Sequence, residues 1–150
     1  MKKLFTIGLL SLVFSLFAPK ASAESVVYII MGADMPTVSN IPLSINGKQA
    51  CSMDLKFKEK QFKVNIYRRA IKKIILNSED KFILSYDIPW VDGIRHDEIT
   101  IDAVDGETYY IQLISKWNLN FKRLKEKDGI KKLKKTEDYD FLPDYVHPAE

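Results

Sequence analysis

The side chains best equipped for chemistry are one thiol, Cys51, and two imidazoles, His96 and His147. A thiolate nucleophile needs a base within hydrogen-bond reach, and neither histidine has a sequence context that brings it to Cys51. A structural zinc ion wants four ligands with short internal spacings, whereas these three residues are far apart. His96-Asp97-Glu98 crowds three potential ligands together, but on a strand Asp97 points to the face opposite its two neighbours. A calcium loop over 92–98 fails because Ile94 and His96 occupy positions that need ligand oxygens. Asp102, Asp105 and Glu107 would serve glycoside hydrolysis only at a defined carboxylate separation, and a solvated acidic turn accounts for them as well. No nucleophile elbow, phosphate-binding Gly-rich loop or dinucleotide fingerprint is present. The expectation is a noncatalytic protein with no metal and no cofactor, a small hydrolase being the least favoured alternative.

Recognition is better represented than catalysis. The stretch from Asp87 to His96 reads as a long loop, since Pro89 and Asp92-Gly93 stop a ladder. It carries Trp90 and Arg95 next to Tyr86, and Trp and Arg are the types most enriched in binding anchors. Tyr109, Tyr110 and Trp117 divide by strand parity, Tyr110 facing away from the other two. Arg68 and Arg69, with Lys63, Lys72 and Lys73 around them, form the strongest basic turn. The expected binding surface therefore comprises Trp90, Arg95, Arg68, Arg69, Tyr86 and Tyr110.

These residues sit behind a leader. Lys2 and Lys3 precede an apolar run from Leu4 to Phe17, and Ala21-Ser22-Ala23 has the small-residue pattern of a signal-peptidase site. The run is shorter than the roughly 20 residues a spanning helix requires, so the sequence predicts cleavage after Ala23 and a periplasmic or secreted bacterial protein without stable membrane insertion. Cleavage leaves 127 of the 150 residues, the length of a single domain covering 24–150. Three of the 23 Lys and Arg lie in the leader, so the remaining 20 balance 20 Asp and Glu. That balance argues against nucleic acid as a partner. The charges are sorted nonetheless: residues 56–73 hold eight cations and one acid, 74–115 two and nine, 116–135 nine and two, and 136–150 five acids without Lys or Arg. Opposite blocks facing each other across a small fold explain most of this, and a basic patch for an acidic partner or polyanion is the alternative.

With Cys51 alone, no intrachain disulfide can staple the domain, and Cys51 itself reads as a small buried hydrophobe on a strand. Pairing of Cys51 between chains would make a homo-oligomer. The elements that must hold everything else are short strands. Ser25 to Met31 is a continuous apolar strand, and Asn46-Gly47 joins two others by a tight hairpin turn. Phe62, Val64 and Ile66 alternate with polar residues as one strand, Ile71 to Leu76 and Lys81 to Tyr86 follow, and Glu98 to Val104 turns at Asp105-Gly106 into Thr108 to Trp117. One helix is predicted, with Asp128 as N-cap and Gly129 to Lys135 behind it. The tail, with Pro143 and Pro148, reads as irregular. The pattern predicts a mostly β fold, an antiparallel β-sandwich of about seven to eight strands with one short C-terminal helix.

In SVVYII at 25–30, SINGKQACSMDL at 44–55, FKVNIYRRAIKKIIL at 62–76, GETYYIQLI at 106–114 and FKRLKEKDGIKKL at 121–133, the chain resembles the DUF2846 family of small exported bacterial proteins. The family tends to carry a Pro-Gly turn where this chain has Arg68-Arg69-Ala70. The resemblance implies a secreted β-sandwich and no established activity. The function expected is a binding module for a protein, peptide or envelope polymer, with a structural role through self-association as the alternative.

Overall fold

A computed structural model of the chain describes residues 24–114 and 119–149. The leader expected at 1–23 and Trp117 lie outside the described residues. The fold is mostly β with one short helix near the C-terminus, and its strands form three sheets.

The largest sheet is built around β1 (Ser25–Met31), which lies between β10 (Thr108–Ile114) and β7 (Ala70–Leu76); β11 (Asn120–Arg123) extends it beyond β10. Beyond β7 come two short pieces, β12 (Asp140–Phe141) and β13 (Tyr145–His147). A strand covered on both faces must be apolar at consecutive positions, and the VVYIIM run of β1 meets that demand. Val27, Ile29 and Met31 join one buried cluster with Ile74, Leu76, Ile111 and Leu113. Ile30, on the opposite face, joins a second with Ile71, Tyr110 and Tyr139, against which Tyr28, Ile130 and Leu133 pack. Ile130 and Leu133 belong to the helix α1 (Glu126–Leu133), which covers that second face.

The second sheet is antiparallel, in the order β4-β3-β8-β9: β4 (Lys48–Asp54), β3 (Asn40–Ile45), β8 (Lys81–Trp90) and β9 (Gly93–Asp102). Its Ile41, Leu43, Met53, Leu84 and Ile101 complete the first cluster, so the two sheets share one core. Asn46 and Gly47 close the β3–β4 hairpin with φ of 51° and 77°, the pair of left-handed positions that an Asn-Gly turn supplies. The third sheet is small, β2 (Met35–Pro36), β6 (Val64–Tyr67) and β5 (Phe57–Gln61). No helix among the described residues is long and apolar enough to cross a membrane.

Several expectations change. The large sheet is mixed, because β1 pairs β10 in parallel, as β12 and β13 pair β7; periodicity places residues on faces but does not choose a strand's partner or direction. Asp87 to His96 is not a loop. β8 and β9 remain paired from Lys81↔Asp102 to Trp90↔Gly93, leaving Val91 and Asp92 as the turn. Pro89 is tolerated because β3 pairs β8 only as far as Tyr86, so farther along one side of β8 has no ladder to break. Phe62 is likewise no strand residue: Phe62 and Lys63 form the β5–β6 turn, at φ of 48° and 69°. The helix begins at Glu126 behind Lys125, with Asp128 inside its first turn, where an acid favours the positive end of the dipole. The tail is ordered as an interrupted edge strand, broken at Pro143, which has no N–H to donate.

Candidate basic site between the arginine corner and the C-terminal helix

Arg68 and Arg69 turn the chain from β6 into β7, and three contacts fix them. Asp34, just past the end of β1, accepts the backbone N–H of Arg69 at 2.9 Å and the Lys58 ammonium at 2.6 Å. The Arg69 guanidinium lies over the Tyr139 ring, 5.3 Å from its centroid. Arg68 Nε stands 3.4 Å from the Asp140 carboxylate, and Lys73 Nζ 3.3 Å from Asp144. Two acids of the C-terminal block thus meet cations of the 56–73 block, as facing opposite-sign blocks require. Burial alone would push the Asp34 carboxyl up. The hydrogen bonds from Lys58 and from the Arg69 backbone, and the charges of both cations, outweigh that and hold it below the usual carboxylate range.

The same corner borders a cavity of about 400 Å³, whose walls include Arg69, Tyr139, Lys131, Lys132, Lys135, Asp128 and Asp138. Lys131 and Lys132 lie in the last turn of α1, where a cation is favoured by the carbonyl end of the helix. A second cavity of about 240 Å³ shares Arg69 and Asp138 and adds Arg68, Lys58, Asp34 and Glu137. Cations outnumber acids around the first cavity, and guanidinium and ammonium groups make their strongest hydrogen bonds to carboxylate and phosphate oxygens. The arrangement can hold an anion.

The sequence marks Arg68 and Arg69 as the strongest basic turn and predicts a helix over Gly129 to Lys135. It has no means of bringing the two together, since Arg69 and Lys131 meet only through the packing of α1 on the β1–β7–β10 face. Asp34 carried no signal at all, being a single acid in a turn-rich segment.

No family model matches the chain, and no curated protein or solved structure is significantly similar to it. The likeness to DUF2846 therefore rests on the quoted residues alone.

The other expected binding residues lie elsewhere. Trp90 is half-buried at the end of β8, packs against the main core and has the Arg95 guanidinium 5.9 Å from its ring centroid. Arg95 also reaches Asp92 at 3.2 Å. Trp90 lines neither of the cavities that Arg69 borders. Tyr86 is fully buried, donating its hydroxyl to the Leu119 carbonyl, and burial with the nearby Asp97 charge pushes its phenol up to about 12. Tyr110 is buried beneath α1 and stacked on Tyr28 with centroids 5.8 Å apart. Neither of these tyrosines presents a surface.

Among the described residues no group of three or more His, Cys, Asp and Glu is placed to hold a metal ion. His96 Nδ1 is 2.8 Å from Asp87 and its Nε2 3.8 Å from Glu98, while Asp97, on the other face, accepts the Phe121 backbone N–H at 2.6 Å. The hydrogen bond to Asp87 raises the His96 pKa. Half-buried Cys51 has its thiol pushed up by burial, against a smaller opposing effect of the Lys72 charge. Asp102 approaches Lys81 at 3.9 Å, whereas Asp105 accepts the Glu24 backbone N–H at 2.8 Å.

Proposed function

We propose that this chain is an exported, noncatalytic binding module that captures an anionic partner, an acidic protein segment or envelope polymer, at the cavity between the Arg68-Arg69 corner and α1. In this reading the two sheets sharing one core serve as a β-sandwich scaffold. The carrying observation is the convergence of Arg69 with Lys131, Lys132 and Lys135 on one cavity of about 400 Å³. Arg69 supports it further, because its guanidinium lies over the Tyr139 ring and its Nε stands 3.9 Å from Asp34, which also fixes its backbone N–H, before any ligand arrives, and preorganised donors lose less entropy on binding. The noncatalytic part is supported by Cys51, whose thiol is pushed toward its neutral form by burial.

Titration with a soluble polyanion, poly-glutamate or inorganic polyphosphate, tests the reading. Affinity should fall steeply between low and physiological salt, as exposed charges are screened over about 8 Å at 0.15 M. The K131A/K132A/K135A variant should bind at least tenfold more weakly. Equal binding by the variant and the parent chain would reject the cavity as the site.

A further inference from the structure

We propose that the β5–β6 hairpin is a reversible anchor to an anionic lipid surface, inserting the Phe62 ring and setting Lys60 and Lys63 against the headgroups. The proposal stands on different residues from the basic cavity. Every residue of β5 is exposed, and Phe62, at the turn, is 100% exposed. An aromatic ring in that position contributes nothing to the core. Its backbone is also unfavourable: Phe62 and Lys63 both adopt left-handed φ, at 48° and 69°, where side chains with a Cβ are disfavoured. The Asn46-Gly47 hairpin adopts φ of 51° and 77° with residues suited to them. Strain of this kind persists where a site outside the fold's own stability is served.

The charge and shape of the tip select the partner. Lys63 is in the turn, and Lys60 is cross-strand from Asn65 just behind it. Lys58 is engaged by Asp34, but Lys60 and Lys63 have no ion-pair partner among the described residues. One protruding ring is too small to form the buried centre of a protein interface, which needs roughly 800 Å² on each side. A bilayer accepts such a protrusion anywhere: the ring enters the headgroup and acyl boundary while lysines stay with the phosphates. The other apolar tip, Val91 on the β8–β9 turn, is 101% exposed but neighbours Asp92 and so lacks that complementarity.

The test is co-sedimentation of residues 24–150 with vesicles, since the described fold lies within 24–149 and the apolar leader would itself bind lipid. Vesicles of phosphatidylglycerol and phosphatidylcholine in equal parts should capture the protein at low salt, and pure phosphatidylcholine should not. Phe62→Asn suits the turn, so it should keep or raise Tm while lowering vesicle partitioning about tenfold. K60E/K63E should lower it at least as much, and Val91→Ser should leave it unchanged. Equal partitioning of Phe62→Asn and the parent overturns the proposal. So does a parent that ignores these vesicles but is captured by inorganic polyphosphate, with Phe62→Asn captured equally, which would assign the hairpin's charge to a polymer.

Discussion

Asp34 accepts the backbone N–H of Arg69 at 2.9 Å while its other oxygen takes the Lys58 ammonium at 2.6 Å, so one carboxylate ties the end of β1 to the corner that leads into β7. Asp34→Ala removes both bonds and releases the corner. The expected cost is on the order of 1–2 kcal/mol, with weaker polyanion binding as Arg69 loses its support. The folded carboxyl titrates below its ordinary value of 3.8. Its contribution is therefore complete above that value and lost as pH falls through the lower folded pKa. Acid denaturation of the parent and of Asp34→Asn should diverge above pH 3.8 and converge below it, in curves followed by circular dichroism.

At the other end of the pH scale Tyr86 governs. Its buried phenol donates to the Leu119 carbonyl and titrates at about 12, against an ordinary value of 10. Between those values the unfolded chain has given up the proton and the folded chain has not, so stability declines as pH rises through that window. Tyr86→Phe should cost about 1 kcal/mol at neutral pH, through the carbonyl left without its donor. The variant should also lose less stability than the parent between pH 10 and 12, measured by urea denaturation at each pH.

Legibility followed how local each determinant was. The Asn46-Gly47 hairpin was readable because turn chemistry resides in the two residues that make it. The Phe62-Lys63 hairpin was not, since its turn uses residues that turn chemistry disfavours, and the alternation of Phe62, Val64 and Ile66 imitates a strand. Trp90 and Arg95 read as members of one loop because Pro89 hid the fact that they lie on paired strands; only the absence of β3 beyond Tyr86 makes that proline harmless. Half of the basic site, Arg68-Arg69, stood out in the sequence. The other half arrives through α1, whose docking depends on a glycine and a tyrosine in different elements.

The expected cleavage after Ala23 has a structural consequence at Glu24. Its backbone nitrogen donates to Asp105 at 2.8 Å, and its carbonyl accepts the Gly106 N–H at 2.8 Å. Cleavage would turn that nitrogen into an ammonium facing a carboxylate. Mass spectrometry of exported protein should find Glu24 first. In that processed form Asp105→Asn should lower Tm by a few degrees at pH 6 and by less at pH 9, because an α-amino group loses its charge near pH 8. In a chain that retains residues 1–23 the nitrogen remains an amide, and this difference between pH 6 and pH 9 should vanish.

Gly129 decides whether α1 can lie on the sheet at all. It is buried in the middle of the helix, and a Cβ placed there would stand 2.1 Å from Cγ of Tyr110. Two effects of Gly129→Ala oppose each other. Alanine favours the helix by about 1 kcal/mol relative to glycine, whereas overfilling a packed site costs about 1–3 kcal/mol. The ring cannot yield like a flexible chain end, since Tyr110 is buried and stacked on Tyr28, so the clash should win. A net loss of about 1–2 kcal/mol is expected in thermal or urea denaturation, with helix α1 displaced from the sheet. Displacing α1 carries Lys131 and Lys132 away from Arg69, so the same substitution should weaken polyanion binding without removing a single charge. A variant as stable as the parent, binding polyanion equally well, would show that α1 does not need this contact to dock.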